Sequence, residues 1–143
     1  KSEYGGTMRL GAYAAVLKEK SKVLGLYKET GRLKEDKAKT EKLKKDKNQK
    51  FRLGVLDTRE NKNIVLERHR HRYEVNPKFV NELEKKGLVF SGYHLRNDNT
   101  MLMEFIELPK HPYFIATQTH PEFKSRLGNP SPLFYGFIRA CSK

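Results

Sequence analysis

Three short runs in this sequence carry residue types that can do chemistry. The sharpest is Thr119-His120-Pro121-Glu122. Histidine titrates near neutral pH and is the usual proton shuttle. A carboxylate two residues on can accept the hydrogen bond from its other ring nitrogen. That contact fixes the tautomer and steadies the imidazolium, the third-member role of a nucleophile–base–orienter set. Pro121 stiffens the link between the two. Taken alone, the same residues also fit a surface His beside a surface Glu at a strand end. The second run, residues 67–73, is Glu-Arg-His-Arg-His-Arg-Tyr. On a strand, alternation sends Arg68, Arg70 and Arg72 to one face and His69 and His71 to the other. One Arg aimed into a pocket can bind a carboxylate bidentately. His69-x-His71 as half a metal site lacks a Cys or acidic partner at the usual spacing. A phosphate or nucleic-acid patch and a solvated, charge-guarded edge strand are the other readings. The third run, residues 5–11 (Gly-Gly-Thr-Met-Arg-Leu-Gly), lacks the spacing of a phosphate loop. It fits a turn followed by a strand.

No attacking residue accompanies this base and orienter. A nucleophilic cysteine needs a strand-to-helix turn with backbone N–H groups arranged for an oxyanion. The single cysteine, Cys141, stands instead at the end of an expected helix, with no flanking glycines.

These side chains need elements to position them. Residues 8–17 form a mostly buried strand. Ser21 caps a short helix over 22–27. Residues 28–50 hold ten basic and five acidic side chains, no aromatic, and only Leu33 and Leu43 as apolar anchors. Such a stretch fits an inserted surface loop or a solvated, poorly packed helix. Phe51, Leu53 and Val55 alternate like a short strand. A strand spans 64–75, and Asn76-Pro77 opens a helix with Phe79, Val80 and Leu83 as its apolar stripe and Gly87 as its stop. Strands follow at 88–93, 101–108 and 113–119, with a polar turn at 94–100. Ser131-Pro132 begins the last helix, 133–141, with Leu133, Phe134, Phe137 and Ile138 on its buried side. Several strands with helices between them give an α/β class.

The 143 residues fit one domain. One cysteine excludes an intramolecular disulfide framework. No run approaches the ~18 to 20 apolar residues of a membrane-spanning helix. The net charge of +13 raises the question of a polyanion partner. The charge in 28–50 carries no interleaved aromatics for stacking, which argues against nucleic acid.

In order, the runs at 5–11, 67–77 (Glu-Arg-His-Arg-His-Arg-Tyr-Glu-Val-Asn-Pro) and 119–126 (Thr-His-Pro-Glu-Phe-Lys-Ser-Arg) resemble the C-terminal part of the CTP synthase family. The stretches at 88–92, 106–118 and 130–140 are similar too. The likeness covers residues 5–26 and 65–140. It implies the C-terminal part of a class I glutamine amidotransferase domain, an α/β fold of the flavodoxin-like, three-layer α/β/α kind, over residues 1–143. Within it, 28–63 is expected to be a charged, flexible insertion. The family is a cytoplasmic ligase of pyrimidine biosynthesis, a homotetramer that makes CTP from UTP, ATP and glutamine. The resemblance casts His120 as triad base and Glu122 as its orienter. It casts Arg72 as the group that binds the α-carboxylate of glutamine, with the Tyr73 backbone beside it. No metal or cofactor is expected in this portion; ATP and magnesium belong to the family's amidoligase domain. The family's Gly-x-Cys-x-Gly elbow is not found in the sequence, so the isolated chain is expected to be inactive. A non-catalytic remnant and a basic nucleic-acid-binding module are the rival readings.

Overall fold

A computed structural model describes residues 8–56 and 62–142; the turn expected at Gly5-Gly6 lies outside them. The chain order is β1 (Arg9–Leu17), α1 (Lys22–Glu29), α2 (Arg32–Lys44), β2 (Ile64–His71), α3 (Val80–Lys85), β3 (Val89–Leu95), β4 (Met101–Glu107), β5 (Ile115–Thr117) and α4 (Pro132–Cys141). Short 3-10 helices lie at Lys50–Arg52, Pro77–Phe79 and Pro121–Lys124. This is the expected α/β class. The sheet order is β2-β1-β3-β4-β5, and every ladder among the described residues is antiparallel.

β1 lies inside the sheet, between β2 and β3, and the small and apolar residues of its second half are buried. Ala15 and Leu17 pack on one face with Val65, Phe105, α1 and Leu133 of α4. Ala14, on the other face, packs with Ile64, Leu66 and Leu53. The Ser21 hydroxyl caps α1 by accepting from Leu24 N at 3.1 Å, as its position predicts. α1 then buries Val23, Leu24, Leu26 and Tyr27. Asn76 accepts from Lys78 N at 3.0 Å and starts the Pro77 turn, and Gly87 ends α3 with φ +93°.

Four expectations from the apolar pattern are corrected. Residues 32–44 are not a loop. They form α2, which buries Arg32, Asp36 and Thr40. These residues recur every four positions and share one helix face. The stripe is polar, so apolar periodicity does not reveal it. Residues 50–52 are a 3-10 helix rather than the start of a strand. The α3 stripe is largely open, with Phe79 and Leu83 exposed. The buried side of α4 is Pro132, Leu133 and Gly136, whereas Phe134, Phe137 and Ile138 are exposed. Gly136 sets that orientation: a Cβ there would come within 2.7 Å of Leu26, so α4 lays its glycine on α1.

Candidate active site

His120 follows β5 and caps the Pro121–Lys124 turn. Its backbone N–H donates to the Arg68 carbonyl on β2 at 2.8 Å, which ties the turn to the strand. The Nδ1 of His120 lies 2.8 Å from Glu122 Oε1. Phe123 stacks on the imidazole at 5.3 Å and 18°, and the Arg68 guanidinium lies 5.4 Å from the Phe123 ring. Slight burial pushes Glu122 up, but the hydrogen bond from His120, a backbone hydrogen bond at Glu122 and the charge of His120 together outweigh it, holding the carboxyl below the usual range. The carboxylate therefore stays ionised and fixes Nδ1 as a donor, which leaves Nε2 as the nitrogen free to take a proton. Both side chains are half open to solvent, at 34% and 52%.

β2 shows the alternation the sequence predicts. Arg68 and Arg70 point outward, and His69 is buried. Arg72 and Tyr73 follow the strand at the edge of a cavity of about 690 Å³ that Arg9, Tyr13, His94 and Arg96 also line. The Tyr73 side chain is 81% exposed. Its carbonyl accepts from Gln118 Nε2 at 2.7 Å and from His71 Nδ1 at 2.9 Å. Gln118 lies two residues before His120, so one side chain spans the two halves of the candidate site. The cavity wall includes Arg72 and Tyr73 but neither His120 nor Glu122.

Beneath Arg72 lies a network that the sequence reading missed. His71 Nε2 is 2.8 Å from His69 Nδ1, and His69 Nε2 is 3.5 Å from Glu104 Oε2. Arg9 donates to Glu104 at 2.6 Å and to Glu74 at 3.3 Å. Burial pulls His69 from 6.5 to about 2, with Arg9 adding to the effect. Burial pushes Glu104 up to about 8 against the pull of Arg9. Burial also lowers His71, and Glu74 opposes it. Neutral imidazoles suit this geometry: His71 donates to Tyr73 through Nδ1 and accepts at Nε2 from His69 Nδ1–H. His69 thus supports His71, which holds the Tyr73 carbonyl. Among the described residues, no group of three His, Cys, Asp or Glu side chains is placed to bind one. The signal for the network was the His-x-His alternation itself, which puts both rings on the inward face.

Cys141 is exposed at the end of α4. No helix among the described residues is long and apolar enough to cross a membrane.

Comparison with known proteins bears on this arrangement. The model of the glutamine amidotransferase class-I family matches residues 3–140. The chain belongs to the class-I glutamine amidotransferases. A CTP synthase of Methanopyrus kandleri is 48% identical over 138 residues, covering 96% of this chain and 19% of the relative. A CTP synthase of Neorickettsia sennetsu is 41% identical over 139 residues, again 19% of its length. One from Archaeoglobus fulgidus is 61% identical over 79 residues, 55% of this chain and 14% of the relative. The chain thus spans about one fifth of the length of these relatives. Among solved structures, the Trypanosoma brucei CTPS glutaminase domain with bound acivicin superposes with TM-score 0.66 at 29% identity. That match covers 95% of this chain and 40% of the other. This portion is a class-I amidotransferase α/β fold similar to a CTP synthase glutaminase domain.

Proposed function

We propose that the chain is the C-terminal glutaminase portion of a CTP synthase, a ligase that aminates UTP to CTP with ATP, using ammonia released from glutamine. The observation that carries this reading is the 2.8 Å contact between His120 Nδ1 and Glu122 in a chain whose relatives are CTP synthases. In this reading, His120 Nε2 takes the proton of a cysteine thiol supplied from outside these residues. The thiolate attacks the amide carbon of glutamine. His120 returns the proton to the leaving ammonia, and a thioester remains. His120 then deprotonates the water that cleaves the thioester, and glutamate leaves. Glu122 holds the ring and offsets the imidazolium charge. Arg72 binds the α-carboxylate of glutamine at the cavity edge, with the Tyr73 backbone, fixed by Gln118 and His71, beside it. UTP, ATP and magnesium bind in the amidoligase domain of the same protein, which works in the cytoplasm as a homotetramer.

The test is His120→Ala in the complete protein that carries this chain. Glutamine-dependent CTP formation is expected to fall by at least a thousandfold while formation from added ammonium is retained. Persistence of the glutamine-dependent reaction would overturn the reading.

A further inference from the structure

The charged helix α2 has no place in the function proposed above, yet its buried face points at the candidate catalytic turn. Asp36 is fully buried. Its Oδ2 accepts from Leu66 N on β2 at 3.0 Å. Both carboxylate oxygens also accept from Lys124 Nζ, at 2.9 Å and 3.0 Å. Lys124 is the last residue of the turn that His120 caps and that contains Glu122. The same ammonium donates to the Leu66 carbonyl and reaches Glu67 Oε1 at 3.3 Å. Glu67 in turn accepts from the buried Tyr27 hydroxyl at 2.8 Å. One turn before Asp36, Arg32 donates to Asn129 Oδ1 at 3.0 Å and to the Lys124 carbonyl at 3.3 Å. Helix α2 therefore grips the turn at its end and at the loop beyond it.

We infer that Asp36 and Lys124 are positioning residues for His120, and that α2 serves as a brace for the turn that carries the base. This rests on the glutaminase reading given above. The turn is held at its start by the bond from His120 N to the Arg68 carbonyl. Its end is held by the Asp36–Lys124 pair. Between these two points the His120–Glu122 pair is half open to solvent, and Phe123, itself part of the turn, is the ring stacked on the imidazole. A solvated turn fixed at one end only would let the imidazole wander. Misplacement of a catalytic group by about 1 Å can cost on the order of a hundredfold in rate. Asp36 is a better anchor than a surface carboxylate because it sits in the interior with geometry fixed by Leu66 N.

The test uses the complete protein that carries this chain, assayed with glutamine and separately with added ammonium. Asp36→Asn and Lys124→Met are each expected to lower the glutamine-dependent kcat ten- to a hundredfold. The KM for glutamine should stay within about twofold, because Arg72 lines a cavity whose wall includes neither Asp36 nor Lys124, and the ammonium-dependent rate should be unchanged. The double variant should be no worse than either single one, since the pair acts as a unit. Lys124→Arg, which keeps a cation for Asp36, should recover most of the rate. Thr40→Ala disturbs the same helix face without touching the carboxylate, so it reports what loosening α2 alone does. If Thr40→Ala lowers kcat as much as Asp36→Asn, or if Lys124→Met leaves kcat within twofold, the inference is overturned. If Asp36→Asn does not fold, the comparison of Lys124→Met with Lys124→Arg decides alone. His120→Ala run alongside separates the two levels. If it has no effect, the glutaminase reading fails; if it abolishes the glutamine reaction while the brace variants stay active, only the inference fails.

Discussion

Replacing His94 by Asn should remove a defined part of the acid sensitivity of this fold. His94 lies on β3 at 3% exposure and lines the wall of the Arg72 cavity. Its Nδ1 lies 2.7 Å from the Ala14 carbonyl, and its ring stands edge-on to Tyr13 at 5.7 Å. Burial disfavours the imidazolium; the bond to Ala14 opposes burial but does not overcome it, and the pKa falls from 6.5 to about 4. In the unfolded chain the same side chain takes its proton near 6.5. The stability associated with neutral His94 is therefore complete above pH 6.5 and is lost as pH falls from 6.5 to about 4. The whole loss is about 3 kcal/mol. His69, pulled to about 2, acts in the same direction and continues below that window. Glu104, pushed to about 8, acts in the opposite direction: its contribution is present below 4.5 and is lost as pH rises through 8. The net slope thus mixes opposing groups, and the informative quantity is the difference between wild type and variant. Asn keeps a donor near Nδ1 and cannot titrate. At pH 7.5 the variant should be about 1 to 2 kcal/mol less stable because the ring contacts are lost. At pH 4.5 that deficit should have shrunk by about 2.5 kcal/mol, bringing the variant level with wild type or above it. Urea unfolding followed by far-ultraviolet circular dichroism at pH 7.5, 6.0 and 4.5 measures it. A deficit of the same size at all three pH values would refute the reasoning, because His94 would then be titrating alike in both states.

Two further changes probe the support of the site. Arg9→Met withdraws the cation 2.6 Å from the buried Glu104 and should cost about 3 to 5 kcal/mol at pH 9. The cost should be smaller at pH 6, where Glu104 is protonated, and an equal cost at both pH values in urea unfolding would count against this pairing. Gly54→Ala places a Cβ 2.1 Å from the Leu95 carbonyl at a φ of +65°, so it should lower the thermal midpoint by several degrees. An unchanged midpoint would mean that residues 50–56 do not lie against β3 as described.

The elements that apolar pattern governs were readable from the sequence. β1, the Ser21 and Ser131 caps, the Asn76-Pro77 turn and the Gly87 stop all follow from local residue types, and they stand where those types put them. The strand alternation of residues 67–71 was readable too, because a period of two needs no tertiary information. The His120–Glu122 contact follows from a spacing of two residues across a stiff proline. What pattern could not supply was which polar residues are buried. Asp36 and Lys124 are 88 positions apart, and nothing in either neighbourhood marks them as partners. Gln118 lies within a recognised stretch, but its role depends on where β2 ends relative to β5. The α4 stripe failed for a related reason. Four large apolar residues outweigh one glycine in any pattern, whereas close approach to α1 selects the glycine.

The inward face of β2 is the link among these observations. A strand between two apolar clusters would ordinarily carry Val or Ile at every inward position, and β2 begins so, with Ile64, Val65 and Leu66 buried. From Glu67 onward the inward positions turn polar: Glu67 meets Lys124 and Tyr27, His69 meets Glu104, and His71 meets Tyr73 and Gln118. The contacts to Lys124, Tyr73 and Gln118 reach segments that carry part of the candidate site, and the His69–Glu104 contact lies beneath them. Apolar packing would hold those segments at similar free energy, but it is tolerant of sliding, since volume matters more than direction. A hydrogen bond or ion pair in the interior has a narrow range of productive distance and angle. The penalty for burying these groups unpaired then penalises every displaced arrangement of the turn and of Arg72. The strand changes from apolar to polar where positioning a side chain matters more than filling space, and that change marks the candidate site in the sequence before any single residue does.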